Sequence, residues 1–116
     1  MADYQLIVLS NARDGRDEEF NQWYDHVHLK DVLMVDGIVG ARRFKLSGHD
    51  QWGYLAVYDL DCDDPQRVVQ DLLSRAGTDR MPLSDAFDLD HYIMTVASPI
   101  SELRLESSGL GQVGPE

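Results

Sequence analysis

Basic residues are scarce in this sequence: 10 Lys and Arg stand against 21 Asp and Glu in 116 residues, a formal net charge of −11. A surface so negative repels phosphate backbones and anionic lipid, which argues against nucleic acid and against a polybasic membrane dock. Cysteine is scarcer still. Cys62 stands alone, so no internal disulfide can form and no thiolate zinc site can be built. The acids around it should raise its pKa, which argues against a nucleophile. Long apolar runs are missing as well: none approaches the roughly 20 residues of a membrane span, and Met1-Ala2-Asp3-Tyr4 does not read as a signal peptide. There is no glycine-rich phosphate loop. What remains is one domain's length of ordinary globular composition, 43% hydrophobic, and the expectation is a soluble protein of a reducing cytoplasm.

Along the chain, Tyr4 to Asn11 is a short apolar, β-branched run that reads as a buried strand. From Asp17 the period changes. Asp17, Glu18 and Glu19 place negative charge in a first helical turn, and Phe20, Trp23, Tyr24, Val27, Met34 and Val35 recur at three- and four-residue spacing before Asp36-Gly37 ends the helix. Ile38 to Leu46 and Tyr54 to Leu60 are the next two strands. Asp63-Asp64-Pro65 starts a second helix, with a carboxylate cap and proline in its first turn, and Ala76-Gly77 stops it. After a connector from Met81 to Leu89, Asp90 to Ala97 forms the fourth strand. The order β-α-β-β-α-β predicts an α+β, ferredoxin-like domain over residues 1–100 with a four-stranded antiparallel sheet. The tail, 101–116, is expected to be either a flexible end or an arm laid on a partner.

Two helices on one face leave the other face of such a sheet bare. The strands are apolar on alternate positions of both faces; in the last, Tyr92, Met94 and Val96 oppose His91, Ile93 and Thr95. The second face should therefore be buried too, and its simplest cover is a second copy of the chain. A homodimer is expected.

The densest chemical signal lies in residues 18–44. At about 100° per residue, Tyr24 and His28 are i,i+4 neighbours, His28 and Asp31 are i,i+3 neighbours, and Asn21 lies on the same flank. Asp31 falls near the centre of the apolar stripe, where a carboxylate must be paired or must titrate. Imidazole held by a carboxylate, with a phenol in reach, is a workable proton-transfer set. The alternative is a boundary histidine whose partner Asp31 merely satisfies it. His26 points away from the stripe, and His49 sits in a turn. His91, at the start of the last strand, could enter the same pocket or be an ordinary strand-end histidine. Arg42 and Arg43 point to opposite sheet faces, so at most one can meet a ligand inside. Asp59, Asp61, Asp63 and Asp64 invite a metal reading, but calcium-loop spacing is absent and a helix cap explains Asp63 or Asp64. His26 and His28 lie too far apart around a helix to share a metal. No metal and no cofactor is expected.

The block Phe20-Asn21-x-Trp23-Tyr24-Asp25-x-x-His28-Leu29-x-Asp31-Val32-Leu33, followed by Gly37 and Ala41-Arg42-Arg43-Phe44, resembles the EthD-like branch of the dimeric α+β barrel superfamily. The resemblance continues more loosely through Trp52 to Leu60 and Gly77 to Pro82, spanning residues 4–98. Lys30 and Asp36 depart from it, standing where family members carry proline. It implies a ferredoxin-like protomer that dimerises sheet to sheet, with a pocket between helices and sheet for a small hydrophobic cyclic or aromatic molecule. It implies His28 as acid/base, with Tyr24, Trp23 and Asn21 as pocket neighbours. Together with the spacing argument, the expected activity is that of a cofactor-independent lyase or isomerase acting on a catabolite. His28, Asp31 and Tyr24 would be catalytic, and Asn21, Trp23, His91 and Arg43 would bind substrate. A cofactor-free monooxygenase, a haem-binding relative and a non-catalytic ligand carrier are the alternatives.

Overall fold

The structure, a computed structural model, describes residues 2–48 and 50–105; His49 and the tail beyond residue 105 lie outside the described residues. The elements are β1 (Ala2–Ser10), α1 (Asp17–Trp23), a π-helical turn (Tyr24–His28), α2 (Leu29–Val32), β2 (Ile38–Lys45), β3 (Tyr54–Cys62), α3 (Pro65–Arg75) and β4 (Ile93–Ala97). The strands form one sheet in the order β2-β3-β1-β4, every neighbouring pair antiparallel. This is the ferredoxin-like α+β architecture that the order of elements predicts.

Strand alternation sets the layers. Leu6 and Val8 of β1, with Tyr54, Ala56, Tyr58 and Leu60 of β3, are buried, and Phe20, Tyr24, Val32, Val35, Val68 and Leu72 from the helical segments complete the same core. The opposite face carries Ile7 and Leu9 of β1 in register with Val57 and Leu55 of β3. Phe44 and Ile93 extend this face onto β2 and β4 and keep 38% and 43% of their surface open to solvent. Arg42 lies over the Phe44 ring at 5.1 Å.

The caps follow sequence chemistry. The Asp64 side chain accepts from the Arg67 N–H at 3.3 Å, with Pro65 in the first turn of α3. Gly37 closes the first helical run at φ +99°, and a Cβ there would lie 2.9 Å from Val68 Cγ2. Glycine is thus required twice over, for backbone conformation and for close packing against α3. The last strand begins at Ile93 rather than Asp90, because Asp88 holds the preceding residues in a turn: its carboxylate accepts from the Asp90 N–H at 3.1 Å and its carbonyl from the His91 N–H at 3.3 Å.

The first helical run departs from a simple α-helix. The Leu29 N–H bonds to the carbonyl of Tyr24, closing an i→i+5 turn. This wider turn takes up an extra residue, so everything after it lags in angle behind a 3.6-residue wheel. His28 and Val32 rotate onto the buried face, while Val27 becomes 38% exposed. Asp31 is left half-buried on the flank. Met34, in the turn that follows α2, is 72% exposed. The expected stripe is therefore corrected at Val27, Asp31 and Met34.

Candidate functional site

A cavity of about 60 Å³ lies between sheet and helices. Leu6, Val8, Tyr58 and Met94 form its sheet side, Tyr24, His28 and Val32 enter from the first helical run, and Leu72, Leu73 and Ala76 from α3. Met81, Leu83, Phe87, Leu89 and Tyr92, between α3 and β4, line its remaining side. Among the described residues, no aspartate, glutamate, lysine or arginine lines it, and the polar side chains there are one imidazole and three phenols.

His28 is held by rings rather than by hydrogen bonds. Its imidazole stacks on Trp23 at 4.5 Å between centroids, with planes 24° apart, and meets Tyr24 edge-on at 4.9 Å. Trp23 is fixed in turn by donating its indole N–H to the Pro82 carbonyl at 3.2 Å. The residue is 8% exposed, and its buried Nδ1 has no hydrogen-bond partner among the described residues. Burial, with a smaller contribution from the Arg43 charge, lowers its pKa to about 4. The ring is neutral in ordinary buffers.

Tyr24 and Tyr58 supply the hydroxyls. Tyr58 donates to Tyr24 Oη at 3.2 Å, which leaves the Tyr24 proton available to a further acceptor. Burial raises both phenols above their ordinary range, Tyr58 the more strongly, so both stay protonated donors. Tyr58 lies on the sheet face shared with Tyr54, and sequence reasoning treated it as core. Its strand position facing Tyr24 was the signal that could have found it.

Arg43 turns inward from β2 but does not reach the cavity. Its guanidinium lies 4.2 Å from the Tyr24 centroid, donates to Asn21 Oδ1 at 2.7 Å and pairs with Asp25 at 2.8 Å. Asn21 in turn donates to Tyr54 Oη at 3.3 Å, and Tyr54 donates to Asp17 at 2.6 Å. Arg43 and Asn21 therefore form a buttress behind Tyr24, which corrects their expected place as ligand contacts.

Two further placements differ from expectation. Asp31 does not pair with His28, because the π turn carries it off the stripe, and the carboxylate that would raise the imidazole's basicity is missing. His91 precedes β4, faces solvent and meets Asp88 at 3.2 Å, away from the cavity. Tyr24 and His28 do line the cavity, and Trp23 stacks behind His28. The Cys62 thiol is pushed up, first by burial and then by Asp63, Asp64 and Asp61. Among the described residues no cluster of His, Cys, Asp and Glu has the makings of a metal site, and no helix is long and apolar enough to cross a membrane.

Solved structures share this architecture. A provisionally assigned monooxygenase from Shewanella loihica PV-4 superposes with a TM-score of 0.62 at 11% identity, over 87% of this chain and 97% of that one. An ethyl tert-butyl ether D (EthD) family protein from Bacillus halodurans C-125 gives 0.52 at 10% identity, over 86% and 100%. A dimeric ferredoxin-like protein of unknown function from Thermobifida fusca YX gives 0.50 at 14% identity, over 84% and 92%. No family model and no curated protein matches the sequence. The chain thus has the ferredoxin-like fold of these proteins, including one of the EthD family that the first-helix block resembles.

Proposed function

We propose that this chain is a cofactor-independent acid/base enzyme, a lyase or isomerase, acting on a small, neutral, hydrophobic cyclic molecule. The observation that carries the reading is His28, a buried imidazole whose Nδ1 has no hydrogen-bond partner among the described residues and whose ring lines a cavity with no charged lining. An unsatisfied buried polar atom is costly, and a ligand that supplies its partner recovers that cost. The absence of a charged lining selects against a charged ligand.

The chemistry follows from the two neutral groups. His28, with its proton on Nε2, takes a proton at Nδ1 from a carbon beside a carbonyl. The Tyr24 hydroxyl, polarised by the bond it receives from Tyr58, donates to the oxygen as negative charge develops there. Imidazolium and enolate stabilise each other in a site poor in water, which strengthens a base that is weak in the empty protein. Return of the proton to a different carbon completes an isomerisation; departure of a β-leaving group completes an elimination.

The test uses small cyclic ketones in deuterated buffer, followed by proton NMR. The protein is expected to exchange the α-protons of a neutral ketone such as 2-tetralone faster than buffer, and to leave an anionic keto acid unaffected. Exchange at the buffer rate for every neutral ketone tried would sink the reading. The provisional monooxygenase assignment of the Shewanella loihica protein favours a second reading, in which the same base delivers a phenolate to dioxygen. Incorporation of labelled dioxygen into product separates the two.

The proposal includes a homodimer. The open sheet face carries Ile7, Leu9, Leu55, Val57, Phe44 and Ile93 together, and a second copy would bury them through an isologous contact. Sedimentation equilibrium at micromolar concentration is expected to give twice the 13.1 kDa chain mass. A single species at the chain mass would refute this part.

A further inference from the structure

Resting on the proposed acid/base reading, we infer that Trp23 is a positioning residue of the His28 site: its indole fixes the plane of the imidazole and supplies the π face on which the imidazolium formed in turnover lies. Trp23 does not line the cavity, and it meets the site through the His28 ring. Its effect on the reaction therefore passes through the base rather than through a ligand.

The stack is a product of the widened turn. At about 100° per residue, positions 23 and 28 stand roughly 140° apart around an α-helix, and their side chains do not meet. The bond from the Leu29 N–H to the Tyr24 carbonyl adds a residue to that turn. Across it the pair lie as i,i+4 neighbours do on a regular helix, with ring centroids 4.5 Å apart and planes at 24°. The indole has little freedom of its own. Its N–H donates to the Pro82 carbonyl at 3.2 Å, and its ring meets Tyr24 at 5.2 Å and Phe87 at 5.8 Å. The imidazole, by contrast, has no hydrogen bond at Nδ1 among the described residues. A hydrogen bond to one ring nitrogen commonly sets a histidine's direction; here the stacked face sets its plane.

The charged imidazole needs more than orientation. Asp31 stands off the stripe, and Arg43 of β2, the charge that acts on the ring, has the wrong sign. Tyr58 of β3 and Tyr92 ahead of β4 bring phenols to the cavity, while β1 and α3 present apolar side chains there. Tyr24 meets the ring edge-on, and Trp23 offers it a full aromatic face. The negative face of an indole attracts a cation more than a neutral ring. For a desolvated cation this favours the charged form by up to about thirtyfold, which offsets part of the burial that makes His28 a weak base.

The experiment compares full-length wild type with Trp23→Leu and Trp23→Phe by two readouts. One is a side-chain NMR titration of His28, which needs no substrate. Loss of the face should lower the His28 midpoint, by about half a pH unit or more in Trp23→Leu and by less in Trp23→Phe. A packing role alone has the opposite sign, because a smaller side chain admits water and releases the ring toward its ordinary value. The other readout is ketone α-proton exchange. Its kcat should fall about tenfold in Trp23→Leu with KM within about twofold, and Trp23→Phe should recover part of the loss. An unchanged or raised midpoint, or a loss confined to KM, overturns the inference. Should Trp23→Leu fail to fold, the same signs in Trp23→Phe decide it. A wild type that exchanges no ketone overturns the enzyme reading instead, with the titration still testing the stack.

Discussion

His28→Gln is expected to slow ketone α-proton exchange by about a hundredfold or more and, in the same variant, to remove most of the protein's sensitivity to mild acid. The second effect follows from linkage. The buried imidazole has its pKa lowered from 6.5 to about 4, burial being the main cause and Arg43 the second. In the unfolded chain it takes up a proton near 6.5, which the folded protein refuses until the pH approaches 4. The unfolded state therefore binds more protons in that window, so stability is complete above pH 6.5 and falls as the pH drops through about 4. The gap between the two values is worth roughly 3 kcal/mol. Glutamine keeps a polar side chain of similar reach but does not titrate, so urea unfolding from pH 7 to pH 4 should show a much smaller loss in the variant. Equal losses in both proteins, or an NMR titration of His28 near 6.5, would contradict the buried neutral imidazole. A variant that keeps full exchange activity would instead remove His28 from the chemistry.

Arg43→Ala is expected to cost about 3 kcal/mol, more than a surface arginine could contribute. The half-exposed Asp25 is the lesser part of this, since exposed ion pairs contribute little. The larger part is the guanidinium packed 4.2 Å from Tyr24, 5.5 Å from Phe20 and 5.6 Å from Tyr54, in a side chain only 12% exposed. Its removal also leaves Asn21 Oδ1 without its donor and opens a void against three rings. Lysine has neither the planar fork nor the stacking surface, so Arg43→Lys should recover less than half of the loss. Because the Arg43 charge also depresses His28, Arg43→Ala should raise the folded imidazole's pKa toward 6.5 and shrink the stability lost between pH 7 and pH 4. Chemical denaturation at two pH values checks both statements. A melting point within a degree of wild type would show that the buttress is ornamental.

Much of the architecture was legible because it rests on short-range chemistry. Alternation in Leu6 to Ser10 and Tyr54 to Leu60, the Asp64-Pro65 cap and the left-handed Gly37 and Gly77 each follow from a local rule. The site was legible only in part. Tyr24 and His28 were found because both stay near the stripe on either kind of helix. Asp31 was misplaced because a 3.6-residue period cannot anticipate an i→i+5 turn, which no residue type marks. Arg43 was correctly turned inward, yet strand alternation says nothing of which partners wait there. His91 was drawn toward the pocket by a strand assumed to start at Asp90; Asp88 ends that assumption by folding the preceding turn.

The widened turn between Tyr24 and His28 also has a meaning for the gene. Loss of one codon from a surface loop is commonly tolerated, and loss of one from an ordinary helix shifts its far end by a fixed increment. Here the missing codon would regularise the helix and leave the turns before and after it on their present faces, since the wide turn already takes up one residue more than an α-helical path needs. The count of residues between Phe20 and Gly37 thus carries information that no single letter in it does.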